Sequence, residues 1–94
     1  MLIVVHVTTS RVPDYVSADR LARRLGESLQ FSGVVKRADV ALDASTRALI
    51  VTGDVDVASS PSCAVTLGSR EVLAHLQALG SPLTISHAEA EDDR

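Results

Sequence analysis

Aromatic residues are nearly absent from this chain: Tyr15 and Phe31 are the only two, and tryptophan does not occur. The core it builds is therefore aliphatic, and stacking surfaces for bases or flat cofactors are lacking. A single cysteine, Cys63, excludes an internal disulfide framework and fits a reducing compartment. No apolar run approaches the length of a membrane span. The amino terminus lacks a basic segment, and its short apolar run is interrupted by His6, so it does not read as a signal peptide. The expected location is cytoplasmic. Asparagine is missing and arginine outnumbers lysine eight to one, the composition of a GC-rich bacterium or its phage.

Charge is sparse and local. Residues 87–94 carry four acids against one arginine, which accounts for the whole net charge of −3 and leaves residues 1–86 with eight of each sign. This divides the chain into a neutral single domain, 1–86, and an acidic tail, 87–94, expected to be disordered.

What is present in quantity is β-branched apolar sequence. The run Leu2-Ile3-Val4-Val5-His6-Val7-Thr8 reads as a strand buried on both faces. Leu2, Val4 and His6 alternate with Ile3, Val5 and Val7, so the two sets face opposite ways. The hydroxyl-rich connection Thr8-Thr9-Ser10-Arg11 leads to a first helix started by Pro13, Asp14 or Ser17. Ala18, Leu21, Ala22, Leu25 and Leu29 form that helix's apolar stripe, and Gly33 is expected to end it as a left-handed cap. Val34 to Leu42 alternates as a half-exposed strand with Ala38, Val40 and Leu42 inward. Asp43 to Thr46 is a turn, and Arg47 to Val51 returns as a hairpin that Gly53 to Asp56 extends through a bulge.

Cys63 to Leu67 reads as a short additional strand, with Gly68 or Ser69 capping a second helix of stripe Val72, Leu73, Leu76 and Leu79. Gly80 and Pro82 stop it, and Leu83 to Ser86 forms the last strand. The order β-α-β-β-(β)-α-β predicts an α+β two-layer sandwich. Right-handed crossovers place both helices on one face of a mostly antiparallel sheet, the ferredoxin-like split βαβ arrangement.

No residue pattern marks a catalytic centre, a metal site or a bound cofactor. His6, His75 and His87 have no metal-ligand spacing, and Ser59, Ser60 and Ser62 read as loop residues. His6 in its apolar strand reads as a histidine satisfied by the fold. Thr8, Thr9, Ser10 and Arg11 are candidates for holding a phosphate or carboxylate ahead of a helix amino terminus, although no glycine lets a ligand approach the backbone. Arg20, Arg23 and Arg24 form a basic face on the first helix. Asp19 and Glu27 share that face, with Arg23 and Glu27 at ion-pair spacing, which disfavours nucleic acid as the partner.

Ser69-Arg-Glu-Val-Leu-Ala-His-Leu76 resembles the second helix of small dimeric α+β-barrel proteins such as antibiotic-biosynthesis monooxygenases. That likeness implies a small-molecule enzyme or sensor, but the aromatic pocket lining of the group is missing. The topology also resembles amino-acid-sensing ACT domains, without their glycine-bearing first turn.

With both helices on one face, the other sheet face is left bare. An aliphatic patch there of roughly a few hundred Å² would be sticky, and burying it offers about 10 kcal/mol before association costs. The expected function is a non-catalytic protein-interaction or regulatory module. Its simplest form is a homodimer through Leu2, Val4, His6, Leu49 and Val51, joined sheet to sheet or edge to edge.

Overall fold

The computed structural model describes residues 1–58 and 60–91. In chain order the elements are β1 (Leu2–Arg11), α1 (Tyr15–Leu29), β2 (Val35–Leu42), β3 (Ala48–Asp56), α2 (Pro61–Ala78) and β4 (Ile85–Ala90). This is an α+β structure of two helices and a four-stranded sheet in the order β2-β3-β1-β4, with every neighbouring pair antiparallel.

The alternation of β1 sets the layers. Val5, Val7 and Thr9 are buried beneath the helices, whereas Val4, His6 and Thr8 on the other face are only half-buried and Leu2 is 58 % exposed. The expectation of a strand buried on both faces is thus corrected: one side has no helix over it. Register carries the same division across the sheet, because Val7 faces Val51, Val5 faces Gly53, and Leu49 faces Leu42. Leu49 and Val51 are therefore core residues, 0 % and 1 % exposed, packed with Leu25, Leu29, Val72 and Leu76. Their assignment to a bare interface was one register step off, and a one-residue step exchanges the two faces of a strand.

Asp14 starts α1 from an extended backbone, and its carboxylate accepts from the Ser17 backbone N–H at 2.7 Å. The helix ends at Gln30, three residues before Gly33, which does not adopt a left-handed conformation. Ser32 performs the stop instead: its hydroxyl accepts from the backbone N–H groups of Val34 and Val35 and turns the chain into β2.

No strand forms at Cys63–Leu67. Those residues are the opening turns of α2, with Ser60 at the N-cap and Pro61 in the first turn. A short apolar run fits a buried strand or a buried helix equally, and the spacing Ala64, Gly68, Val72, Leu76 resolves it, since all four are buried on one stripe. Gly68 is an interior residue of α2, neither a cap nor a break. A Cβ there would stand 3.0 Å from Val5 Cγ2, so the missing side chain lets α2 settle onto β1. The carboxyl end of α2 follows expectation. Gly80 is left-handed at φ 76, and the N–H groups of Gly80 and Ser81 close onto the carbonyls of Gln77 and Leu76.

The last strand runs later than Leu83–Ser86. His87, Ala88, Glu89 and Ala90, expected in a disordered tail, pair with Thr8, Val7, His6 and Val5, and the Glu91 N–H donates to the Val4 carbonyl. Residues 92–94 of that tail lie outside the described residues.

Candidate functional site

Among the described residues, polar side chains gather on the helix-free sheet face, in a recess at the end of β1, in the seam between the helices and beside a groove at the start of α1.

The helix-free sheet face is more polar than its strands suggest. Its middle row reads Asp39, Thr52, His6, Glu89 across β2, β3, β1 and β4, and the next row is Ala41, Ile50, Thr8, His87. His6 Nδ1 lies 3.1 Å from Thr52 Oγ1, so one ring nitrogen is partnered by the neighbouring strand. Asp54, almost fully buried, is paired with Arg37, whose Nε donates to Oδ2 at 2.6 Å. Of the expected interface residues, Leu2, Val4 and His6 lie on this face and Leu49 and Val51 do not. Aliphatic residues share this face with Asp39, Asp54, Glu89, two histidines and two threonines, so it is not a continuous apolar patch.

Thr8, Thr9, Ser10 and Arg11 are not a loop ahead of a helix; they are the last residues of β1. A shallow recess of about 360 Å³ does border all four, together with Asp43 and Ser86. The hydroxyls, however, serve the irregular end of the ladder. Thr9 Oγ1 points into the core and accepts from the Leu49 N–H at 3.0 Å, while Ser10 Oγ accepts from the Thr84 N–H at 3.1 Å. Ser86 Oγ donates to the Thr8 and Thr9 carbonyls where β1 and β4 slip register. Asp43 remains a carboxylate in this recess: the Ser45 hydroxyl and backbone N–H donate to it and hold its carboxyl below the ordinary value. An anion would meet that charge as well as Arg11.

Between the helices lies a network that sequence reading did not find. Ser28 of α1 places its Oγ 2.6 Å from His75 Nδ1 of α2, and His75 Nε2 lies 3.3 Å from Glu71 Oε2. Glu71 also accepts from the Ser32 hydroxyl. Glu71 and His75, one turn apart, carry the only local signal; the serines are distant in sequence. Hydroxyl, imidazole and carboxylate in series is the order of a nucleophilic triad. Yet Ser28 sits in the last turn of α1, where the neighbouring backbone N–H groups are committed to the helix and not aimed at a developing oxyanion. What the arrangement does physically is clasp α1 to α2 with satisfied polar groups.

The arginines of α1 divide. Arg23 pairs with Asp19 at 3.2 Å rather than with Glu27, whereas Arg20 and Arg24 form no ion pair among the described residues. Both border a groove of about 320 Å³ floored by Val12, Leu21, Leu79 and Leu83. Cys63 is a half-buried thiol in the first turn of α2. Among the described residues no three His, Cys, Asp or Glu side chains converge as a metal site, and no helix is long and apolar enough to cross a membrane.

Comparison with protein-family models, with curated proteins and with solved structures finds no match for this chain.

Proposed function

We propose that this protein is a non-catalytic interaction module of ferredoxin-like split βαβ topology that assembles as a homodimer through the outer edge of β4. The strand order supports the topology, since α1 carries the chain from β1 over β3 to β2, and α2 carries it from β3 over β1 to β4. The lone thiol, Cys63, suits a reducing cytoplasm.

The edge, rather than the sheet face, is the better joint. A sheet edge offers unpaired N–H and C=O groups that recruit another strand unless it is guarded. The β2 edge is guarded: Lys36, Arg37 and Asp39 are charged, and the ladder is broken by a bulge between Lys36 and Asp39. The β4 edge carries no such bulge from His87 to Ala90. Bonding of Glu91 to Val4 makes Glu89 and His87 the residues bonded to β1 by alternation, which turns the backbone of Ala88 and Ala90 outward.

One observation carries the reading: His87 and Glu89 flank Ala88 on the same face of this edge, with Nε2 3.5 Å from Oε2 within the chain. If two copies pair about a two-fold axis through Ala88, His87 of each faces Glu89 of the other on the same sheet surface. Such a cross-strand pair is favourable, and the two copies complete one eight-stranded sheet by strand addition. Each new backbone bond contributes about 1 kcal/mol net and association itself costs several, so the dimer is expected to be weak and concentration-dependent.

Sedimentation velocity from micromolar to millimolar concentration tests this. The expected result is a concentration-dependent dimer for the native chain and a monomer for Ala88→Pro. That substitution removes only an outward N–H and is tolerated on an edge strand. Glu89→Arg should weaken the dimer, and His87→Glu combined with Glu89→Arg should restore it. A native chain that stays monomeric, or an Ala88→Pro variant that dimerises equally well, overturns the reading.

A further inference from the structure

We propose that the groove bordered by Arg20 and Arg24 binds a small amphiphilic carboxylate: an aliphatic chain on the groove floor, with its carboxylate held by the two guanidinium groups. The site stands apart from the β4 edge and does not depend on dimerisation.

The floor is built for a hydrocarbon. Val12 and Leu83 are core residues, and Leu21 and Leu79 are half-buried beside them, so the recess between α1, the end of α2 and the following turn is aliphatic. Its volume, about 320 Å³, is at the lower end for small-molecule sites. The rim is stiff before any ligand arrives. Pro13 and Pro82 border the groove with fixed backbone φ, and Arg47 holds the Pro13 carbonyl at 2.7 Å. Gly80 and Ser81 lock the turn on the far side through their bonds to Gln77 and Leu76.

The rim also carries a charge arrangement that the fold does not use. Arg20 and Arg24 are one helical turn apart, neighbours on the surface of α1, and both are exposed. Like charges at this spacing destabilise a helix slightly, and Asp19 relieves Arg23, not this pair. The acid at this end of the helix, Asp14, has its carboxylate engaged by Ser17. A guanidinium can take a carboxylate with two parallel bonds, and the second cation beside it adds to the attraction. Nucleic acid would satisfy the arginines but leave the aliphatic floor uncovered. A neutral hydrocarbon would cover the floor and leave the arginines in mutual repulsion. Only an anion with an apolar chain uses both.

The test is a two-dimensional amide NMR titration of the full chain with decanoate, and in parallel with decylamine, decanol and acetate. Decanoate is expected to give saturable shifts at Val12, Leu21, Leu79 and Leu83, with acetate and decylamine giving none. Replacing both cations, Arg20→Gln with Arg24→Gln, should weaken decanoate binding about tenfold, whereas Arg23→Gln should not. These arginines are exposed, so the variants retain the fold, which the unperturbed remainder of the spectrum reports. Absence of saturable shifts overturns the proposal, as does equal binding of decylamine or decanol, or undiminished binding by the double variant.

Discussion

Arg37 reaches Asp54 from a left-handed backbone. Its φ is 52°, its Nε donates to Asp54 Oδ2 at 2.6 Å, and the carboxylate it meets is buried while the arginine itself is exposed. The bulge in β2 sets Arg37 and Ala38 together against Gly53, and it is this extra residue that swings the guanidinium over its partner.

Two substitutions at Arg37 separate strain from charge. Arg37→Ala leaves Asp54 buried without its cation; because the arginine side is open to water, the loss should be about 1–2 kcal/mol, below that of a fully buried pair. Arg37→Gly loses the same cation but relieves the left-handed backbone. It should be more stable than Arg37→Ala by about 1 kcal/mol in urea denaturation.

Gly53 is the other half of the bulge. A Cβ there collides with Val35 Cγ1 and stands 3.1 Å from the Lys36 carbonyl oxygen, whereas Gly33 has open space around it. Gly53→Ala should therefore cost about 1–3 kcal/mol, and Gly33→Ala should stay within about 0.5 kcal/mol. Equal effects at the two positions would dispose of the packing argument.

The helix clasp predicts coupling. His75→Ala and Ser28→Ala each remove one partner of the 2.6 Å contact, and each should destabilise by about 1 kcal/mol. In a double-mutant cycle their effects should fall short of additive by at least about 0.5 kcal/mol. Strict additivity would mean that the contact adds nothing to stability.

Acid should loosen the start of α1 and the β2–β3 turn. The Ser17 backbone N–H holds the Asp14 carboxyl below its ordinary value, and the Ser45 hydroxyl does the same for Asp43. A depressed native value means that the unfolded chain binds protons more readily. The contribution is complete above the ordinary carboxylate value near 3.8 and is lost as pH falls below it toward the native value. Asp14→Asn combined with Asp43→Asn should lower the melting temperature at neutral pH, where both carboxylates contribute, and flatten its fall across that acid range. A wild-type slope in the double variant would place the acid sensitivity elsewhere.

Much of the fold was legible because period and punctuation agree. The α1 stripe of Ala18, Leu25 and Leu29, the Asp14 cap and the Gly80 stop each rest on neighbours within a few residues. Reading failed where one short segment suits two structures. Cys63–Leu67 has the apolar content of a strand, and only the contact of Gly68 with Val5 reveals why a helix lies there. His87–Ala90 looks like a solvated tail, yet β1 recruits it as a strand because two of its four side chains are small alanines facing the helices. The candidate groove was half visible: three arginines could be named, but not that Arg23 is taken by Asp19 while Arg20 and Arg24 flank leucines from the far end of the chain.

By itself the sequence determined the element types of β1, α1, β2 and β3 and the aliphatic character of the core, since these follow from periodicity and from side chains acting locally. Tertiary structure alone decided which face of each strand lies under the helices, which polar groups meet, and which edge stays open. Strand alternation leaves two faces equivalent until register joins them, and the partners of Ser28, Asp54 and Arg20 come from segments that only the fold brings near.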